Sequence, residues 1–455
     1  MDEHKPQEQA SEKVPARRKS GRMHGWRASI LACVICILVT ALVTSMIFVG
    51  KFGGSSNYKL ALKFAQVKQV VDKDYIGDAD DTAISDASSS AIISAIGDKW
   101  SYYMTAEEYK AYQMYSNNEY AGIGVTIQLD DKTKGFRITA VTSDSPAAKA
   151  GLQQGDIITA IDGEDVTGKT LSDVQSTIRA KLNKTLKLTI QDSAGKSQTV
   201  TLDCTVIYTD PVTYKLMDNG VGYVQIRNFE TGGGSRAVQA VDKLLDLGAK
   251  SLVFDLRDNG GGVLDDAISC IDLIAPEGTV AYAEDKNGNR TIIGSSDDES
   301  KVELPIVCLV NGNTASAAEL FAASLRTMNG ARLVGTTTMG KGTIQSSPQR
   351  LSDGSAVSIT VAKLICGDGS CFDGTGLSVD VERALSAEET TNFYDYTPED
   401  DPQIQRAVSA AQQLSGTTTL GGVNEAASSA AASEEADSAA TEPENASSEE
   451  TASST

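Results

Sequence analysis

The stretch Asn311 to Phe321, NGNTASAAELF, sets Ser316 between alanines in a small-residue turn that opens onto a helix. A hydroxyl placed there could attack a carbonyl, because the free N–H groups of a first helical turn stabilise a developing oxyanion. It could equally do no more than cap the helix, as could Thr314. A base decides between these readings. Histidine, the usual partner, occurs only as His4 and His24. If both are out of reach, a carboxylate, a metal-bound hydroxide or a lysine must serve. One lysine is set apart: TTTMGKGTIQ places Lys341 between Gly340 and Gly342, in a small, uncharged run after an apolar strand. Most lysines are solvated surface groups. To take a proton near pH 7 this one needs a pKa lowered by roughly 3 units, or about 4 kcal/mol, which burial can supply. The chemistry would then be that of a Ser-Lys dyad.

The histidines are removed from the problem by topology. Ala28 to Gly50, ASILACVICILVTALVTSMIFVG, is 23 residues without a charge, long enough to cross a bilayer core. Lys13, Arg17, Arg18, Lys19, Arg22 and Arg27 precede it with no acid among them. The positive-inside rule keeps the N-terminus, and both histidines, in the cytoplasm and sends everything after Lys51 outside. No small-x-small cleavage site follows, so the segment reads as an uncleaved anchor. The exterior then has no histidine and no cysteine cluster with ligand spacing, which leaves metal chemistry without support.

The elements that must position Ser316 and Lys341 follow from periodicity. Residues 57–114 mix helical patterns with an Ala/Ser-rich stretch, and Thr105 is a plausible N-cap. From Tyr120 the texture is short strands and Gly turns, with one helix at LSDVQSTIRA and a hairpin over TLKLTIQDSAGKSQTVTL. After Asp210 it alternates strand and helix: GVGYVQIRNF, Gly234 to Leu247, SLVFDLR, VLDDAISCIDLI, PIVCLVN, then a helix closed by Gly330, strands ARLVG and SAVSITVAKLI, and a last helix in DDPQIQRAVSAAQQL. The net charge of −21 argues against nucleic acid as a partner. Much of it lies in Gly416 to Thr455, which carries eight acids, no Lys or Arg and too little apolar surface to fold. The expected order is a basic segment (1–27), an anchor (28–50), a helical region (51–118), a mainly-β domain (119–205), an α/β core (206–415) and a disordered tail (416–455). Cys33 and Cys36 lie in the apolar segment. Cys204, Cys270 and Cys308 read as buried thiols. Cys366 and Cys371, in ICGDGSC, flank a Gly-rich turn where a hairpin disulfide is compatible with an oxidising exterior.

NTASAAELFAASLRTMNGARLVGTTTMGKGTIQ resembles the catalytic core of the tail-specific, or C-terminal processing, serine proteases. In that family the nucleophile stands three positions before a Glu, here Ser316 before Glu319, and a GKG-x-x-Q motif follows, here Lys341 and Gln345. DLRDNGGGVLDDAISCIDLI, KWSYYMTAEEYKAY and AGIGV match further segments of the pattern, so the resemblance covers roughly residues 57–415. It implies that Ser316 is the nucleophile, Lys341 the general base, and Gln345 a hydrogen-bonding partner of Lys341. The Ala317 amide with Gly261 or Gly262 would form the oxyanion hole. One segment departs: CGDGSCFDGTGLSV stands where the family has T-P-x-G-x-S-I. The 119–205 region resembles a PDZ domain through SPAAKAGLQQGDIITAIDG and through GIGV, residues Gly122, Ile123, Gly124 and Val125. Backbone N–H groups of such a loop hold a C-terminal carboxylate while the peptide adds as a strand.

The expectation is an open, mixed α/β protease core with an inserted mainly-β PDZ domain, an N-terminal helical region and one transmembrane helix. Its implied function is that of a membrane-anchored, extracytoplasmic serine endopeptidase acting on proteins or peptides with free C-termini, without a cofactor or metal, and with a homodimer as a candidate assembly. Two other readings compete: a PDZ scaffold on a silent protease fold, and a Ser-Lys amidase acting on cell-wall peptides.

Overall fold

The computed structural model describes residues 22–51, 53–192, 194–297, 302–391, 393 and 396–416. Most of the basic segment and nearly all of the acidic tail lie outside these residues. The chain divides into two units, one up to Ser89 and one from Ser90. In the first, α1 (Arg22–Lys51) contains the apolar stretch Trp26–Lys51, with mean hydropathy 2.8 and none of it buried. Its length and composition suffice to cross a membrane. Helix α2 (Ser55–Asp74) follows and buries no residue. The next helix, α3 (Asp81–Ser94), likewise buries none.

The boundary between the units falls within α3; after it come a short strand, β1 (Tyr102–Met104), and α4 (Ala106–Ser116). Thr105 caps α4 as expected, in a reciprocal capping box with Glu108. The mainly-β domain comprises β2 (Glu119–Gly122), β3 (Val125–Leu129), β4 (Phe136–Val141), α5 (Pro146–Lys149), β5 (Ile157–Ile161), β6 (Glu164–Asp165), α6 (Leu171–Arg179), β7 (Lys184–Gln191) and β8 (Ser197–Tyr208). The strands lie in the order β2-β8-β7-β5-β4-β3, with β6 beside β5. Alternate residues point inward, so Phe136, Ile138, Ile158, Leu186, Leu188 and Ile190 form one core with Val174 and Ile178 of α6.

The remaining elements are β9 (Val212–Leu216), β10 (Val221–Ile226), α7 (Gly233–Asp246), β11 (Ser251–Asp255), α8 (Leu264–Asp272), β12 (Gly278–Glu284), β13 (Arg290–Ser296), β14 (Ile306–Val310), α9 (Ala317–Asn329), β15 (Arg332–Gly335), β16 (Thr343–Gln345), β17 (Gln349–Arg350), β18 (Ala356–Ser358), β19 (Thr360–Cys366), β20 (Val381–Glu382), α10 (Ala387–Thr391) and α11 (Pro402–Leu414). The central sheet runs β20-β15-β14-β11-β10-β9, parallel except for the edge strand β9. Strands β11 and β14 are buried at every position because both faces are covered. Val224, Leu252, Phe254 and Cys308 pack with α7, α8 and α9. Their neighbours Tyr223, Val253, Val307 and Leu309 pack with Ile404, Ala407 and Val408 of α11. An ion cluster pins that helix. The buried Arg257 guanidinium donates to Asp255 (2.7 Å), Asp401 (2.8 Å) and Gln403 (3.0 Å), and Asp401 also caps α11 through the Gln403 and Ile404 N–H groups.

Three parts of the sequence reading change. SAVSITVAKLI is not one strand: β18 pairs with β1 and β17, while β19, beyond Ile359, pairs with β12 and β16. Strands β12 and β13 form a hairpin that the pattern reading did not assign. The disulfide expected between Cys366 and Cys371 is not made; both are free thiols, as are the other five cysteines. The turn is closed instead by backbone bonds from Cys366 N–H to Ser370 O (2.9 Å) and from Gly369 N–H to Cys366 O (2.8 Å). Burial pushes the Cys366 thiol up to about 11, whereas Cys371 is exposed. Native protein should therefore alkylate at Cys371 within minutes and at Cys366 only on unfolding, a difference that peptide mass spectrometry reads directly. A Cys366–Cys371 linked peptide in unreduced protein would reverse this.

Candidate active site

Strand β14 ends at Val310, and α9 starts at Ala317. Between them Ser316 has φ 59° and ψ −120°. An ordinary N-cap serine is extended, whereas this backbone costs on the order of 1–3 kcal/mol for a residue with a Cβ. Three contacts hold it there. Thr314 Oγ1 donates to Leu256 O (2.7 Å), Ala315 N–H donates to Asn259 O (2.9 Å), and Ser316 N–H donates to Glu319 Oε2 (2.8 Å). Ser316 is half-buried at this strand-to-helix elbow and lines a cleft, the placement of a nucleophile elbow.

Glu319 is fully buried and ties this elbow to the lysine loop. Its Oε2 also accepts from Lys341 N–H (2.9 Å), and its Oε1 accepts from Gly340 N–H (2.8 Å) and the Thr338 hydroxyl. One carboxylate thus fixes Ser316 and Lys341 through their backbones. The Lys341 ammonium position lies 4.8 Å from the centre of the Trp100 ring. Burial lowers its pKa below the ordinary lysine value, while the nearby carboxylates of Glu230 and Glu319 oppose the shift. The segment that departs from the family pattern forms the support of this loop: Asp373 Oδ1 accepts from Gly342 N–H (3.0 Å), and Gly374 N–H donates to Gly340 O (2.9 Å).

Gln345 does not take the part expected of it. Its Nε2 donates to Thr343 Oγ1 (2.9 Å) and Thr360 Oγ1 (3.3 Å), and no hydrogen bond joins it to Lys341 among the described residues. The cause is register. A bulge between Ile344 and Gln345 pairs Gln345 with Thr360 of β19, which turns the amide along the sheet. Thr360 Oγ1 in turn donates to Asp98 Oδ2 (2.6 Å), and Ser101 shares that carboxylate. These two hydroxyls hold the Asp98 carboxyl below its usual range. Asp98 and Trp100 were therefore missed as site residues; the KW lead-in of the family pattern was the available signal.

The glycine turn after β11 comes against the elbow. A Cβ at Gly261 would lie 2.9 Å from Ala315 O and 3.0 Å from Ala317 N, and φ there is 96°. Gly261 N–H is already taken by Asn259 Oδ1 (2.9 Å). The Gly262 and Ala317 N–H groups have no acceptor among the described residues. Ser316, Lys341, Gln345, Gly261, Gly262 and Glu230 all line one cleft of about 630 Å³.

In the mainly-β domain, Gly122 ends β2 and Val125 begins β3, which is the edge strand of its sheet. Ile123 is buried and anchors the turn. Gly124 has φ 86°, and a Cβ there would fall 2.1 Å from that of Ser145. The Ile123 and Gly124 N–H groups find no acceptor among the described residues, beside a free strand edge.

Sequence comparison decides the family. The chain is 30% identical over 359 residues to the carboxy-terminal processing protease CtpA of Bacillus subtilis (strain 168), covering 77% of this chain and 76% of that protein. The chain belongs to peptidase family S41. The family's sequence pattern matches residues 220–383, and a PDZ domain pattern matches residues 137–192, just after the GIGV turn. A probable CtpA-like serine protease of Staphylococcus aureus (strain MRSA252) is 29% identical over 388 residues, covering 84% of this chain and 77% of that one. Among solved structures, a putative S41 protease from Bacteroides fragilis NCTC 9343 superposes with a TM-score of 0.51 at 18% identity, covering 76% of this chain and 92% of that one, a likeness of fold. This S41 protein is a serine protease of the C-terminal processing type and carries a PDZ domain. Its α/β core with helices on both sheet faces and its inserted PDZ domain agree with the sequence expectation.

Proposed function

We propose that the chain cleaves peptide bonds with a Ser-Lys dyad, outside the cell, while anchored by its N-terminal helix. The observation that carries this reading is the pairing of a strained Ser316 elbow with a desolvated Lys341 in one cleft, their backbones held by the Glu319 carboxylate. Neutral Lys341 takes the proton of Ser316 Oγ as it attacks the scissile carbonyl, and the ammonium so formed returns it to the leaving amine. The Ala317 and Gly262 N–H groups, both without an acceptor among the described residues, receive the oxyanion. Gln345 supports the lysine loop through β16 and Thr360, not by contact with Lys341. Residues 28–50 form the anchor, 119–205 the PDZ domain and 206–415 the protease core.

The PDZ loop is proposed to hold the substrate's terminal carboxylate on the free Ile123 and Gly124 N–H groups, with the peptide extending β3. The test uses one unstructured peptide with an acid or an amide end. Amidation removes the charge and leaves every side chain, and charge-assisted bonds are about twice as strong as neutral ones. Binding to the domain, read by calorimetry, is expected to weaken roughly 5- to 150-fold, about 1–3 kcal/mol. Equal binding by both ends would remove tail recognition and leave the dyad standing. For topology, protease added to intact cells is expected to reach an epitope placed after Gly416, and an epitope placed before Met23 is expected to stay protected. The opposite pattern would invert the anchor.

A further inference from the structure

Glu230 lies in the loop between β10 and α7 and is 7% exposed. Its Oε2 accepts from Ser116 Oγ at 2.9 Å. Its other oxygen has no hydrogen-bond partner among the described residues, and no Lys or Arg stands within 4.0 Å of it there. Glu230 lines the cleft that also holds Ser316. Lys341 lines the same cleft without closing an ion pair, and pairing would keep it protonated, the wrong state for a base. The other charged neighbours add negative potential: Asp266 beside Glu230, and Asp265 on the first turn of α8, which lines the cleft. Tyr102, Tyr112 and Tyr115 line it as well, and the charge of Glu230 acts on both Tyr112 and Tyr115. Phenol rings with a carboxylate among them form a site for a cation, because ring faces carry negative potential.

We infer that Glu230 is a specificity-determining residue whose open oxygen, among Tyr102, Tyr112 and Tyr115, pairs with the ammonium or guanidinium of a substrate Lys or Arg flanking the scissile bond. This rests on the proposed protease site. The rival account is that Glu230 only fastens the end of α4, since Ser116 O also accepts from Thr231 N–H (3.1 Å) and Asn118 Nδ2 donates to Thr231 O (3.1 Å).

The experiment measures kcat/KM on peptides identical except at the two residues flanking the cleaved bond, with Lys, Arg, norleucine or Glu at either position. Full-length protein in detergent is used. Wild type is expected to favour Lys or Arg over norleucine about 10- to 100-fold at one of the two positions, the range for a charge-assisted contact. Glu230→Gln is expected to collapse that ratio to within about threefold, and Glu230→Lys to shift preference toward Glu. Ser116→Ala, which frees α4 and keeps the carboxylate, is expected to retain the wild-type ratio. Cleavage of all four peptides at equal rates by wild type would overturn this inference alone. A Glu230→Gln variant that slows every peptide equally would assign Glu230 to fastening α4. Cleavage of none of them would overturn the protease site and the inference together.

Discussion

Ser316→Ala and Lys341→Ala are each expected to reduce kcat/KM on an unstructured peptide by roughly 10³-fold or more, with thermal transitions close to wild type. Members of one catalytic unit fail together, so the double variant should be little worse than either single one. Lys341→Arg should fail as fully, because a guanidinium cannot deprotonate to act as a base. The same assignment fixes the sign of the pH dependence. Neutral lysine is the active form, and burial lowers the Lys341 pKa, so activity rises with pH through a value below the ordinary ~10.4 and is flat above it. The carboxylates of Glu230 and Glu319 oppose that lowering. A Lys341→Ala protein that keeps a tenth of wild-type kcat/KM would end the dyad account.

Glu319 should rank next in effect although it touches no reacting atom. Its carboxylate accepts four bonds, from Ser316, Thr338, Gly340 and Lys341. Glu319→Gln keeps the shape but turns an amide NH₂ toward N–H donors, and Glu319→Ala leaves all four donors without an acceptor in a buried site. An unmet buried donor costs about 1–3 kcal/mol. With partial relaxation the expected loss is roughly 3–5 kcal/mol for Ala and 2–4 kcal/mol for Gln, a large fraction of a domain's 5–15 kcal/mol. Activity of the Gln variant is expected to fall about 100-fold, mostly in kcat, since the Ser316 elbow relaxes from its strained backbone. Denaturant midpoints and steady-state kinetics of the two variants check both parts. A Glu319→Gln enzyme with wild-type kcat would show that the elbow holds itself.

The parts of the fold legible in the sequence were those with a local signature. The all-apolar runs SLVFD and IVCLV are central strands because both faces are covered, and periodicity at 3.6 with Gly330 in the left-handed region defines α9. The candidate nucleophile and lysine were legible because small residues around a lone Ser and a lone Lys are unusual and matched an ordered pattern. What stayed hidden was set by pairing between distant segments. Gln345 points along the sheet because β16 bulges against β19, 15 residues on in sequence at Thr360. Trp100 and Asp98 reach the site from more than two hundred residues away, through Lys341 and Thr360. The β12–β13 hairpin carries a DKNGN turn, but its strands mix polar and apolar positions, and the weak alternation concealed them.

Helix α11 determines how far the chain can be cut back on its C-terminal side. The helix roofs Tyr223, Val253, Val307 and Leu309, and Asp401 is one of the two carboxylates neutralising Arg257. Digestion that stops at Gly416 leaves roof and ion cluster whole. Digestion that passes Asp401 would bare a sheet face and remove one of the two carboxylates on Arg257, leaving Asp255 as its sole ionic partner among the described residues. Helix α11 is thus a wall of the core and not an appendage, so cutting into it costs the fold where cutting beyond Gly416 does not.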